Sequence, residues 1–164
     1  MGGEVIDVEP KSPAESQTVL TDIILPPQTN HHGTIFGGEV MSYIDRVAVI
    51  CATRHAHRPV VTASFDSMDF ISPLKVGECI ILTAILRWVG KSSMEVQVIV
   101  EGEDLLNGDR HVTGICFVSM VAVDQEGKAV EVPPMKLSTE EEHFQFERGK
   151  ERAAHRKKRK KGYV

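Results

Sequence analysis

One stretch of this chain is patterned as a long helix, and it sits among segments patterned as strands. From Val40 onward the apolar residues recur as Val40, Met41, Ile44, Val47, Ala48, Cys51 and Ala52, the i, i+3, i+4, i+7 spacing of a helix that buries one broad side. Pro26 and Pro27 stop the strand-like run before it, and Gln28 to Thr34 offer only loop and capping residues. The pattern ends near His55 to His57, ahead of Pro59. Strand-like runs cover Gln17 to Leu25, Val60 to Ile71, Cys79 to Val89, Met94 to Val100 and Val112 to Asp124. Alternation is clearest where Met94, Val96, Val98 and Val100 interleave with Glu95, Gln97 and Glu101, which marks a sheet with one buried face and one facing water. The order β-α-β-β-β-β predicts an α+β fold in which an antiparallel sheet wraps around one long central helix. A helix apolar over so wide an arc needs cover on most sides, and one sheet supplies only part of it. A dimer at least is therefore expected.

At 164 residues, 41% hydrophobic and 26% charged, the chain has material for one core and is short for two. The expected division is a loosely held segment over residues 1–16, a domain over 17–137, and a C-terminal helix with a basic tail over 138–164. No apolar run approaches the roughly 20 residues that span a bilayer, and the acidic N-terminal stretch lacks the pattern of a signal peptide. A cytoplasmic location with no membrane partner is expected. Cys51, Cys79 and Cys116 lie far apart in apolar runs and read as buried reduced thiols.

The net charge of −4 hides a split, because residues 1–146 carry 10 Lys or Arg against 21 Asp or Glu while residues 147–164 carry 9 against 2. A basic end on an acidic body suits a phosphate-bearing partner or an intramolecular clamp. Nucleic acid is not expected, since the body is acidic and shows no nucleic-acid motif. Ser138-Thr139-Glu140-Glu141 reads as a capping pattern for a helix running from about Thr139 into the 150s, docked weakly through Phe144 and Phe146. The last ten residues read as a disordered, solubilising end.

Gly37 and Gly38 fall where the central helix begins, so no Cβ obstructs the free N–H groups there, which can receive an anion or a polarised carbonyl oxygen. Asp45 lies seven residues beyond Gly38, two turns or roughly 10 Å along the same helix face. Donors at the helix start and a carboxylate further down suit acyl transfer, which needs charge stabilisation on one side of a carbonyl and a base on the other. Asp66 and Asp69 are rival acids, but they sit on a strand with no helix end beside them. His31-His32 and the His55, His57 pair lack a third ligand at convincing spacing, so no metal is expected.

The run Asn30-His31-His32-Gly33-Thr34-Ile35-Phe36-Gly37-Gly38, followed by Met41 and Asp45, resembles the signature of hotdog-fold acyl-CoA thioesterases of the acyl-CoA hydrolase type. That family includes small bacterial acyl-CoA thioester hydrolases and the cytosolic brain-type mammalian enzyme. Further matches follow in order: Val60 to Ser64, Asp69-Phe70, Val76-Gly77-Glu78, Lys91 to Glu95 and Val121 to Asp124. The resemblance runs from about Val19 to Pro133. It implies the hotdog fold, hydrolysis of fatty acyl-CoA to fatty acid and CoA, a catalytic acid at Asp45, and usually a trimer of dimers.

Under that resemblance Gly37 or Gly38 polarises the carbonyl, and Asp45 acts as general base or as nucleophile. Asn30 and Thr62 position water or carbonyl across the dimer interface. Lys91, Ser92 and Ser93 suit the CoA phosphates, with Arg148, Lys150 and Arg152 of the tail helix reaching the ribose phosphate. No cofactor is expected, since CoA enters only as part of the substrate. The related dehydratases use His in a His-x-x-x-Gly-x-Pro context, whereas Glu39 follows the glycines here and no Pro does, which argues against dehydration. A non-catalytic acyl-CoA sensor or scaffold is the alternative reading.

Overall fold

The computed structural model describes residues 9–164. Five strands, β1 (Thr18–Ile23), β2 (Val60–Phe70), β3 (Cys79–Val89), β4 (Ser93–Glu103) and β5 (Arg110–Ala122), form one sheet in the order β1-β3-β4-β5-β2. All four pairings are antiparallel. The sheet curls around helix α2 (Gly37–Ala56), the hotdog architecture implied above. Val40, Ile44, Val47, Ala48, Cys51 and Ala52 of α2 are fully buried against Leu82, Leu86, Val96, Val98, Val118 and Met120 of the strands. The strands keep this face apolar by period-two alternation, while the other face mixes Glu95 and Gln97 with Ile85 and Phe117. Val60 pairs with Ala122 and Phe70 with Gly114, so β2 lies alongside β5 with its other edge unpaired among the described residues.

Residues 1–8 of the expected loose segment lie outside the described residues. Residues 11–16 depart from that expectation. Helix α1 (Pro13–Ser16) is capped by Ser12 and Glu15, and the Lys11 backbone N–H donates to the Pro134 carbonyl at 3.1 Å. The Lys11 ammonium donates to the His55 carbonyl at 3.0 Å, closing the C-terminal end of α2. Polar residues without periodicity serve here as caps and tethers.

The C-terminal segment also differs from expectation. Helix α3 (Glu140–Lys161) opens on Thr139, whose hydroxyl accepts from the Glu142 N–H at 3.1 Å, and it continues through most of the last ten residues. Of the two aromatics expected to dock it, Phe144 is 58% exposed and Phe146 is half-buried. Arginines dock it. Glu95 is fully buried on the face of β4 opposite α2, and it accepts from Arg152 Nη2 at 2.7 Å and from Arg156 Nη1 at 2.8 Å. Arg156 and Arg159 both pair with Asp66 of β2. The Arg152 guanidinium also stacks 3.8 Å from the Phe117 ring centroid. The close approach requires Gly149, where a Cβ would lie 2.6 Å from Trp88 Cβ. Sequence periodicity missed the docking because a buried carboxylate looks like any solvent-facing residue of an alternating strand.

Removing one partner of a buried pair strands the other charge away from water, so Glu95→Gln should cost about 3–5 kcal/mol of stability. Urea unfolding checks this; a variant as stable as the parent would show that the network does not hold α3.

Candidate active site

Helix α2 begins after Phe36, an N-cap with no side-chain hydrogen bond. Glu39 N–H and Val40 N–H turn back onto the Phe36 carbonyl at 3.0 and 3.2 Å. The amides of Gly37 and Gly38 have no acceptor among the described residues, and both glycines are exposed. A Cβ at Gly37 would meet the Phe70 ring at 3.4 Å, while one at Gly38 would meet nothing within 4 Å. Two free donors at the positive end of a 20-residue helix therefore face open space.

The loop ahead of them is built, not slack. Asn30 Oδ1 accepts from His32 N–H at 2.9 Å, Thr34 N–H at 3.3 Å and Thr34 Oγ1 at 3.1 Å. These bonds fix the carboxamide and leave its NH2 without an acceptor among the described residues. Gln28 fastens both ends of the loop, since its Oε1 accepts from Leu25 N–H at 3.0 Å and its carbonyl from Phe36 N–H at 3.0 Å. Gln28 Nε2 donates to the Tyr43 hydroxyl at 2.8 Å, and that hydroxyl donates to Asp22 Oδ2 at 2.6 Å. Burial and the Asp22 bond push the Tyr43 phenol up, and the same hydrogen bond holds the Asp22 carboxyl below its usual range. Sequence reasoning missed Asp22, Gln28 and Tyr43. A tyrosine on the buried face of a helix was the available signal, because a buried hydroxyl requires a partner.

Asp45 is half-buried two turns into α2, and its Oδ1 accepts from Thr62 Oγ1 of β2 at 2.6 Å. Its other oxygen has no partner among the described residues. Asp66 is taken up by arginines, and Asp69 lies exposed on β2. The His31 and His32 rings lie tilted against each other with centroids 3.8 Å apart, and His55 is buried with Nε2 2.7 Å from the Pro133 carbonyl. Among the described residues no group of three His, Cys, Asp or Glu is placed to hold a metal, and no helix is long and apolar enough to cross a membrane.

An open cleft of about 360 Å³ starts at Gly37 and is walled by Ile35, Phe70, Pro73, Leu74 and Thr113. Asp45 is not among the residues that line it. Lys91, Ser92 and Ser93 form the β3–β4 hairpin, where the Lys91 and Ser92 carbonyls accept from Val132 and Ala122 N–H groups. That hairpin lies at the end of the sheet where β2 begins just after α2, whereas Gly37 opens a helix roughly 30 Å long. Arg148 pairs with Glu151 at 3.5 Å and Lys150 is exposed, whereas Arg152 is committed to Glu95.

Residues 32–107 match the thioesterase superfamily. An uncharacterized acyl-CoA thioester hydrolase of Bacillus subtilis is 45% identical over 90% of this chain and 86% of its own length. The chain belongs to the acyl-CoA thioester hydrolases. It is 32% identical over 98% of its length to the mouse cytosolic acyl coenzyme A thioester hydrolase, of which it spans 42%. The solved apo-hexameric acyl-CoA thioesterase superposes with a TM-score of 0.88 at 45% identity, covering 93% of this chain and 97% of that one. The Staphylococcus aureus acyl-CoA hydrolase, solved with butyryl coenzyme A, coenzyme A and coenzyme A disulfide, gives 0.86 at 37% identity, covering 93% of each chain. Other solved forms of that enzyme carry alanine in place of an aspartate, a threonine or an asparagine.

In this thioester hydrolase the Gln28–Tyr43–Asp22 chain sets where the Asn30 loop stands against the helix. Tyr43→Phe removes both hydrogen bonds, so the Asp22 carboxyl should titrate closer to the ordinary aspartate value near 3.8 in an NMR titration. An unchanged Asp22 titration would break the proposed linkage.

Proposed function

We propose that the protein hydrolyses fatty acyl-CoA to free fatty acid and CoA, at sites completed between two copies of the chain. The observation that carries this reading is the Asp45–Thr62 hydrogen bond of 2.6 Å, which fixes one carboxylate oxygen and leaves the other to take a proton. The bond lies beside the unpaired edge of β2. Val61, Phe65, Phe70 and Ile71, on that strand and just past it, are 37–61% exposed, a degree of apolar exposure that calls for cover.

Two β2 strands pairing antiparallel about a two-fold axis bring the Thr62 end of one beside the Phe70 end of the other. Phe70 abuts Gly37. The free amides and Asn30 of one protomer then face Asp45 and Thr62 of its partner, joining what a single chain keeps apart. In the Staphylococcus aureus enzyme the replaced asparagine, aspartate and threonine have the same spacing as Asn30, Asp45 and Thr62. That agreement supports giving the three residues one shared task.

In the proposed reaction the Gly37 and Gly38 amides and the Asn30 NH2 hold the thioester oxygen as it gains negative charge. Asp45 removes a proton from water as the oxygen attacks, and Thr62 keeps the carboxylate aimed. Collapse of the tetrahedral intermediate breaks the C–S bond and releases the CoA thiolate, which takes up a proton. Attack by Asp45 itself, through an anhydride, is the competing route. A sensor that only binds acyl-CoA would have no use for a carboxylate held with one oxygen free.

Lys91, Ser92, Ser93, Arg148 and Lys150 remain the proposed contacts for the CoA phosphates, while Arg152 serves α3. A trimer of such dimers in the cytoplasm completes the reading. Asp45→Asn should lower kcat for acyl-CoA by about 10²–10⁴-fold while CoA binding persists, as thiol release and calorimetry would show. Turnover at the parent rate would remove Asp45 from the mechanism.

A further inference from the structure

His55 is fully buried near the C-terminal end of α2, and the proposed chemistry leaves it unused. Its Nε2 lies 2.7 Å from the Pro133 carbonyl, so Nε2 carries the ring hydrogen and donates it there. Nδ1 is then a lone-pair atom, closed off from water and without a hydrogen-bond partner among the described residues. While the fold is closed, a second proton on Nδ1 would find no acceptor. Glutamine would make the Pro133 bond without titrating, so the imidazole adds one property, the capacity to take up charge. Three pieces of chain meet at this ring. Pro133 belongs to residues 130–136, which follow β5. Lys11 opens residues 11–16; its ammonium donates to the His55 carbonyl at 3.0 Å and lies 3.2 Å from His57 Nδ1. The two segments are bonded to each other, Lys11 N–H to the Pro134 carbonyl at 3.1 Å and Lys136 N–H to the Lys11 carbonyl at 2.8 Å. Residues 130–136 in turn seat the β3–β4 hairpin, since Val132 N–H donates to the Lys91 carbonyl at 2.9 Å.

We propose that His55 is an acid-released latch, which when neutral ties residues 11–16 and 130–136 to the end of α2 and when protonated lets them part from it. The charged groups that face the ring are Lys11 and Glu15 from residues 11–16 and His57 from α2, while residues 130–136 present the Pro133 carbonyl. Glu15 Oε2 accepts from the Ser12 N–H at 2.6 Å and the Ser12 hydroxyl at 3.1 Å, and no hydrogen bond joins Glu15 to the ring. Lys11 would set a second cation beside any charge placed there. Burial, helped by Lys11 and His57, pushes the imidazole below its ordinary value of 6.5, against the opposing pull of the Pro133 carbonyl and Glu15. A released ring titrates at the ordinary value, so release takes up a proton. The latched form is therefore favoured above pH 6.5 and is lost progressively as the pH falls from there. The hairpin seated through Val132 is the proposed contact for the CoA phosphates, so release also loosens that contact. This last consequence, unlike the latch, rests on the thioester-hydrolase reading above.

Hydrogen exchange followed by NMR on the parent chain and on His55→Gln, each rate corrected for the intrinsic pH dependence of exchange, tests the latch without turnover. In the parent, protection of the Lys11, Val132 and Lys136 amides should fall about tenfold per pH unit below 6.5 while the amides at the centre of β4 stay protected. His55→Gln should lose that pH dependence. Should the variant fail to fold, the ring nitrogen shifts of the parent decide, because a latched His55 stays neutral with its hydrogen on Nε2 as the pH falls through 6.5. A ring that becomes charged there while the amides remain protected overturns the latch, and so does an unchanged pH dependence in His55→Gln. For the link to substrate, KM for acyl-CoA should rise several-fold more in the parent than in His55→Gln between about pH 7.5 and about pH 5.5. Equal rises overturn the link to the hairpin, whereas absence of turnover in the parent at either pH overturns the thioester-hydrolase reading itself.

Discussion

The burial of one side of α2 constrains everything else in this molecule. Once Val40, Ile44, Val47, Cys51 and their neighbours are pressed into the sheet, the helix offers polar chemistry at its N-terminal end and along its uncovered flank. Gly37 and Gly38 occupy the first place and Asp45 the second. In the proposed mechanism their separation along the helix keeps donors and base apart within one protomer, and pairing along the free edge of β2 would let a partner reunite them. One chain already covers the apolar side of α2, contrary to the expectation that a second copy is needed for it, and the apolar residues left exposed lie on and beside β2.

The outer face of the sheet solves a separate problem. Glu95 and Asp66 are carboxylates on neighbouring parts of the sheet that would repel each other if left without cations, and Arg152, Arg156 and Arg159 at successive turns of α3 supply them. Such networks bring geometric specificity more reliably than net stability. Here the specificity is the register of a basic helix on the sheet, so much of the tail's positive charge is held in place and the basic end forms a built part of the domain.

Much of this was legible in the residues. Period-two alternation and a single 3.6-period run located the strands and α2, and the Gly-Gly pair marked the helix start. The boundaries that shifted did so where side chains carry the structure and periodicity is silent. Residues 11–16 are held by caps and by Lys11, and α3 is held by ion pairs whose partner sits 57 positions earlier in the chain for Arg152. Thr62 was expected to position water or carbonyl across a dimer interface, and its hydrogen bond to Asp45 of the same chain was not foreseen, since no local pattern says which strand residue faces which turn of the helix. Asp22, Gln28 and Tyr43 were missed for the same reason.

Sharing of each site between two protomers is the claim on which the functional account turns, and mixing two inactive variants addresses it directly. Asp45→Asn and Asn30→Ala chains, unfolded together and refolded, would form mixed dimers in which one site receives both of its native residues. The account predicts recovery of about a quarter of parent activity from two proteins that are each inactive alone. If the mixture stays as inactive as its components while mixed dimers are present, each site lies within a single chain and the account is wrong.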